Sequence, residues 1–560
     1  MASLGIDVVA IRFPLVKNVE VLRETAAGIR ADPARTVREG WSYLDTRDAA
    51  RAIRLALTAP LSGSHVVGVS ARDTLLDRPT AEMLAAYAPG VPVRSPIDGC
   101  DAAIDTTRAR TLLGFEPQYS LSDPPLSEPS PHAPETPSMS DLLTEPTFEQ
   151  PWPARDGTRI TGVRTIVTAP EGTPLVVVRV DTNVDGLYGL GCATFTQRWH
   201  SVVSFVEEHL ERLVVGRYPG DIEDLTRLVR LSGYWRDGGV ENNALSGLDM
   251  ALWDIAGKRS GLPVHELVGG KARAAADTYI HAGGATVEET LDQARAYVAE
   301  GWRHIRLQVG QPGIGAYGAH GVGGGYPGSP YPDGWRVEEY LRVTPALFER
   351  ARQELGPDVE LLHDAHSRLT PKQAVTLARS LEPYGLFFLE DVLAPEEWRS
   401  LPGVRAASPV PLAVGELATS ATTAAGLILD GGVDFIRCHI SAIGGFSPAK
   451  KLATLAEFTG VRTAWHAPGD TSPIGAAANV ALDVGSPAFG IQEGHVYNDA
   501  THEVFPGTLR IEDGWLRPNE EPGWGIDLDE DAARRFAAEL SGHDAWAAGV
   551  RSPDGALRYP

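Results

Sequence analysis

Cysteine is nearly missing from this 560-residue chain: Cys100, Cys192 and Cys438 are too few and too scattered for a disulfide framework or a thiolate metal site. An odd number of thiols suits a reducing compartment, with each one a packing residue. No uninterrupted apolar run is long enough to span a bilayer. The first thirty residues alternate Arg, Glu and Asp with short apolar runs, which lacks the charged start, apolar middle and small-residue cleavage site of a secretory signal. These absences argue against a membrane partner and lead to the expectation of a cytoplasmic protein. Clusters of positive charge are lacking too. With 50 Lys and Arg against 73 Asp and Glu, the formal charge is −23, which argues against a nucleic-acid partner. An anionic substrate would therefore need a local cationic pocket, with a metal ion as one source of that charge. What is present, 43% hydrophobic and 22% charged residues, is the make-up of a globular protein.

The length exceeds one ordinary core and favours several domains. Proline recurs every few residues from Leu121 to Pro153 and no apolar period survives there, as expected of an extended linker, placed at 121–144. Residues 1–120 show helical patterning at Arg47 to Ala59 and Arg78 to Tyr87, and a short apolar run at His65 to Val69. The phrases AIRFPLV, GWSYLDTRDAARAIRLAL and IDTTRARTLLGFEP resemble the C-terminal part of an extended short-chain dehydrogenase/reductase of the NAD-dependent epimerase/dehydratase type. The half that would carry that chemistry is missing. No glycine-rich turn follows a first strand and no Tyr-x-x-x-Lys precedes the linker, so this fragment is expected to be non-catalytic. From Arg159 to Val180 β-rich runs precede helical segments, the order of an α+β capping domain, placed at 145–272. From Thr278 short apolar strands alternate with amphipathic helices, the pattern of parallel βα units. The fold expected is α/β, a (β/α) TIM-like barrel over 273–500 with its cap, and a C-terminal return to the cap over 501–560.

Three strand-like runs end in an acid: VELLHD at Asp364, LFFLE at Glu390 and PLAVGE at Glu416, at two intervals of 26 residues. One βα unit takes about that length, so the three acids are expected at one height on successive strands, converging at the C-terminal mouth of a barrel. Singly, each could merely start a loop or cap a helix. Three carboxylates forced together repel unless a cation neutralises them, and hard oxygen ligands select Mg²⁺ or Mn²⁺. The other strands also carry an ionisable group near their ends: His281, Arg306, Arg437, His466 and Glu493. His366, two residues past the first acid, is expected to face the same mouth because strand side chains alternate.

The segment ALSGLDMALWDIAGKRSGLPVHELVGG resembles the entry to the barrel in mandelate racemase and muconate lactonizing enzymes, of the enolase superfamily. HDAHSRLTP, FFLED, AVGE, WHAPGDTSP and GIQE are similar, in order, to its D-mannonate dehydratase and RspA-like (starvation-sensing) branch. The resemblance covers about 145–530. It implies Mg²⁺ on Asp364, Glu390 and Glu416, and proton abstraction beside a substrate carboxylate to give an enediolate. Relatives with Lys-x-Lys on the second strand use lysine as base; this chain has Arg306-Leu307-Gln308, and arginine holds its proton too tightly for that role. The dehydratase branch implies instead a tyrosine in the following loop paired with the arginine, here Tyr317, whose pKa a nearby Arg⁺ would lower. His366 is then the acid that assists the departing hydroxyl, or a hydrogen-bonded supporting group. His466 is a second acid/base or a carboxylate-polarising group. His281, Arg437, Glu493 and Asp470 make up the substrate-binding set. The chain departs from the efficient dehydratases at SAIGGF, where Ala442 stands in place of a histidine, and in a glycine-rich loop after Tyr317.

The function expected is a Mg-dependent dehydratase of aldonates like D-mannonate or D-gluconate, giving a 2-keto-3-deoxy acid. The alternatives are a racemase or epimerase of a hydroxy acid and an RspA-like regulatory protein that binds a sugar acid without turnover. A homo-oligomer is expected from the same resemblance.

Overall fold

The computed structural model describes residues 8–122, 155–311, 314, 334–538 and 550–558. The chain divides into two units, Met1–Phe148 and Glu149–Pro560. In the first, two short parallel strand pairs, Val8–Arg12 with Ser64–Gly68 and Leu15–Lys17 with Tyr43–Asp45, accompany the helices Val19–Ala31, Thr46–Thr58, Thr80–Tyr87 and Thr107–Leu113. Asp45 ends a strand and starts a helix at once: its carboxylate accepts the Arg47 N–H at 2.9 Å, which satisfies a donor that the helix itself cannot. Trp41, Tyr43, Leu44 and Phe115 are fully buried here.

The second unit opens with an antiparallel sheet of Ile160–Thr168, Leu175–Thr182 and Tyr188–Cys192, packed on the helix Gly239–Ser260. This helix is buried nearly all round and so carries little amphipathic signal. One side lies so close to the sheet that a Cβ on Gly191 would sit 2.0 Å from the Gly247 carbonyl oxygen. The other side meets the barrel, where Asp249 accepts the Ser447 N–H at 2.9 Å at the start of the helix Phe446–Thr459.

Eight parallel strands form the barrel: Ala276–Gly284, His304–Val309, Glu360–Asp364, Phe388–Glu390, Leu412–Val414, Phe435–Ile436, Arg462–Thr463 and Gln492–Glu493. Each pairs with the next up to the seventh, the eighth pairs with the first, and a single bridge, Thr463 to Phe489, joins the seventh to the eighth. A hairpin of Ile511–Glu512 and Trp515–Leu516 adds antiparallel to the first strand. The barrel interior holds a layer of Tyr279, Leu362, Phe388, Ala413, Phe435, Ala464 and Ile491. Among the described residues no helix is long and apolar enough to cross a membrane.

Candidate active site

Strand alternation builds the site from that interior layer. Two residues beyond its members come His281, Asp364, Glu390, Arg437, His466 and Glu493, which therefore form the layer above, at the C-terminal mouth. The fifth strand is the exception. Two residues after Ala413 is Gly415, and Glu416 follows one residue later. Asp364 and Glu390 are register partners, but Glu390 pairs with Ala413. The expectation of three acids at one height is thus corrected: equal spacing in sequence did not give equal register. Gly415 adopts φ +139°, a conformation glycine tolerates, and this turn carries Glu416 to the mouth.

His366 reaches the mouth, as expected, but not through alternation. The backbone leaves the strand after Asp364, with His366 and Ser367 at φ 52° and 60°, and the His366 N–H donates to Asp364 Oδ1 at 2.7 Å. By this turn, rather than by strand geometry, His366 lines a cavity of about 580 Å³ over the barrel mouth. His281, Arg306, Asp364, Glu416, His466 and Asp470 line it as well, and Phe195, Gln197 and Arg198 reach it from the cap. Tyr317 lies outside the described residues.

Two buried guanidinium groups organise the acids. Arg306 Nη1 donates to both carboxylate oxygens of Glu390, at 2.9 and 2.8 Å, and lies 3.7 Å from Asp364 Oδ2 and 3.6 Å from Glu493 Oε1. Arg437 Nη1 is 3.0 Å from Glu390 Oε1 and 2.9 Å from Glu416 Oε2, while its Nε and Nη2 donate to the Tyr279 hydroxyl oxygen at 3.1 and 3.0 Å. His281 Nε2 sits 2.8 Å from Glu493 Oε1. His466 Nε2 sits 3.4 Å from Glu416 Oε2.

Five carboxylates cluster here, of which Asp364, Glu390, Glu416 and Glu493 meet the two guanidiniums and Asp391 meets neither among the described residues, so charge compensation is incomplete. Burial pushes Glu390 up to about 8, with Asp364 and Glu493 adding to the effect against Arg306 and Arg437. Burial and the neighbouring Glu416 and Glu390 hold Asp391 well above the carboxylate range. Glu493 goes the other way: burial opposes its charge, but Arg437, His466 and His281 together hold it well below the usual range. His281 is pushed down to about 4 by burial and by Arg306.

A divalent cation fits this donor set. Glu390, Asp391 and Glu416 each offer an oxygen, all within 4.8 Å of one another, and excess buried negative charge is what a hard cation relieves. Asp391 was not anticipated, although it is the second acid of FLED; strand alternation turns it outward on paper, and a backbone at φ 35° changes that. His439 was missed as well. It lies two residues after Arg437 by the same alternation, and with His466 and Asp470 it forms a second cluster of close donor atoms. Phe195, Gln197 and Arg198 had no periodic signal, because the 3₁₀ turn Thr196–Arg198, which Phe195 precedes, is too short to show one.

Comparison with known proteins agrees with this geometry. Residues 153–269 match the mandelate racemase / muconate lactonizing enzyme N-terminal domain, and residues 289–532 match the enolase C-terminal domain-like family. A D-galactonate dehydratase family member from Catenulispora acidiphila is 62% identical over 415 residues, 74% of this chain and 97% of that protein. The D-galactonate dehydratase family member RspA from Pantoea ananatis is 48% identical, over 72% of this chain and 99% of that protein. A crystal structure of an enolase from Pantoea ananatis with bound D-gluconate and Mg is 47% identical with a TM-score of 0.67, covering 72% of this chain and 100% of that one. The chain accordingly belongs to the enolase superfamily, of the mandelate racemase/muconate lactonizing enzyme type, and within it to the D-galactonate dehydratase family members.

Proposed function

We propose that the protein is a Mg-dependent hydro-lyase that removes water from an aldonate of the D-mannonate or D-gluconate kind, giving a 2-keto-3-deoxy sugar acid. The observation that carries this reading is the group of buried acids under a cavity lined by His366 and His466, since a cation-binding acid cluster beside two imidazoles suits removal of a proton next to a carboxylate. The similar Pantoea ananatis enzyme that holds D-gluconate and Mg supports the choice of ligand.

Asp364, Glu390 and Glu416, joined by Asp391, would hold Mg²⁺, which when bound supplies the positive charge that a substrate carboxylate needs as its α-proton leaves. Tyr317 takes the C2 proton, helped toward phenolate by the positive charge of Arg306. His366 gives a proton to the C3 hydroxyl, which departs as water instead of as the poor leaving group hydroxide. Tautomerisation of the resulting enol completes the 2-keto acid. His281, Arg437, Glu493, His466 and Asp470 fix and polarise the sugar acid against these groups. The test is a screen of the Mg-loaded protein against a library of aldonates. A 2-keto acid from at least one is expected. Inversion at C2 without loss of water would make the protein an epimerase instead, and binding without either change would make it a sugar-acid receptor.

A further inference from the structure

The cavity wall includes Asp470, whereas the nearby His439 does not line the cavity. His439 follows the sixth strand and is buried. Its Nδ1 accepts the Ser441 N–H at 3.2 Å, which leaves Nε2 as the nitrogen that carries the proton. Nε2 points to the loop after the seventh strand, 3.2 Å from the Thr471 hydroxyl oxygen and 3.7 Å from Asp470 Oδ1. That loop is a tight turn closed by Thr471 N–H to the Pro468 carbonyl at 2.9 Å, and Tyr497 donates from behind to the Thr471 carbonyl at 2.8 Å. Asp470 Oδ1 is buried and makes no hydrogen bond at shorter range among the described residues.

We propose that His439 is a positioning residue: its Nε2–H aims the Asp470 carboxylate at a hydroxyl of the sugar acid, so that affinity for the polyol chain depends on a side chain that does not touch it. The inference rests on the reading of Asp470 as a substrate-contacting group. Electrostatics agree with the geometry. Burial opposes charge on both partners, yet His439 is held above the usual imidazole range by Asp470, and Asp470 below the usual carboxylate range by His439.

The probe is D-gluconate with the Mg-loaded protein, and the variants are His439→Leu and His439→Gln. Glutamine offers an amide N–H in roughly the place of Nε2; leucine offers none. Loss of the charge contact between His439 and Asp470 predicts a roughly 10-fold rise in KM or Kd for His439→Leu, with kcat within about threefold and Mg²⁺ affinity unchanged. His439→Gln should recover most of the loss. The double variant with Asp470→Asn should be no weaker than Asp470→Asn alone, because the two act on one contact. Multiplying losses, or a leucine variant that binds as the parent does, would overturn the proposal. A crystal structure of His439→Leu without ligand reads the link independently: Asp470 should turn away from its parent position, and an unmoved carboxylate also overturns it. If the parent binds no aldonate, the proposed function fails, while the position of Asp470 still decides the role of His439.

Discussion

Arg437 Nη2 lies 2.6 Å from Glu493 Oε2, and both side chains are fully buried beneath the barrel mouth. The same guanidinium also meets Glu390 and Glu416, so its loss would take one cation away from three acids at once and leave them to Arg306, His281 and His466. Removing one member of a buried ion network costs about 3–5 kcal/mol, mostly for the charges left behind. Arg437→Leu is therefore expected to lower unfolding stability by that order. Arg437→Lys should lose less, since the charge stays, although one ammonium cannot span Tyr279, Glu390, Glu416 and Glu493 as the guanidinium does. Denaturant unfolding measures both; a leucine variant with the parent's midpoint would show that the network contributes nothing net.

The metal site makes a second prediction. Glu390→Gln removes a charged oxygen from the donor set while keeping its shape, so Mg²⁺ affinity should fall by at least about tenfold with the fold retained. Asp391→Asn should also weaken binding, because its oxygen lies in the same cluster. Titration calorimetry with Mg²⁺ reads each. Parent-like affinity in Glu390→Gln would remove it from the ligand set.

How far the sequence alone led is clearest at these acids. Asp364 and Glu390 were legible because each ends a short apolar run, and a two-residue alternation carries hydrophobic packing straight into the polar layer above it. Glu416, His366 and Asp391 depend on backbone turns at Gly415, His366 and Asp391 with positive φ, and no periodicity encodes a turn that re-aims a side chain. In the first unit the helix expected at Arg47 to Ala59 is observed at Thr46–Thr58, since an Asp cap and an amphipathic period both mark it. The long cap helix was harder to read as amphipathic for the opposite reason: with apolar residues on every side, it has no single face to detect.

That helix supplies a pH prediction. Asp249 is wholly buried, and burial pushes it up to about 7 despite the Ser447 N–H that it accepts. A folded pKa raised above the unfolded value gives stability that is full below about 4 and is lost as pH rises through 7. Asp249→Asn keeps the acceptor and removes the titration. Relative to the parent, its melting temperature should thus climb between pH 5 and pH 8.5, by an amount equivalent to at most about 3 kcal/mol. Thermal scans of the two proteins across that window provide the check, and parallel curves would place the Asp249 proton elsewhere.

Removal of residues 1–138 should leave a folded protein that binds Mg²⁺. The curated relatives are matched over 97% and 99% of their own length by about three quarters of this chain, so that portion carries a complete relative within it. The barrel and cap also have their own buried clusters. Circular dichroism and calorimetry on the truncated form decide the matter; an insoluble product, or one without metal binding, would make the first unit integral to the second.

The mechanism can be tested by separating its two half-reactions. If Tyr317 is the base, Tyr317→Phe should abolish both product formation and exchange of the substrate C2 hydrogen with deuterated water. If His366 is the acid, His366→Asn should lower dehydration by about 10²–10⁴-fold while C2 exchange continues, because proton removal at C2 does not need it. The position of His366 suits that division. Its backbone N–H holds Asp364, whereas its ring lies on the cavity wall, so the asparagine variant keeps the backbone contact and changes only the group that faces substrate. Exchange is visible only when the abstracted proton equilibrates with solvent before it returns, which makes the tyrosine variant the deciding one. Near-parent C2 exchange in Tyr317→Phe would move the base elsewhere. His466 is then the next candidate, since it lines the cavity and burial pushes it below the usual imidazole range, neutral and able to accept a proton, even though Glu416 and Glu493 oppose the shift.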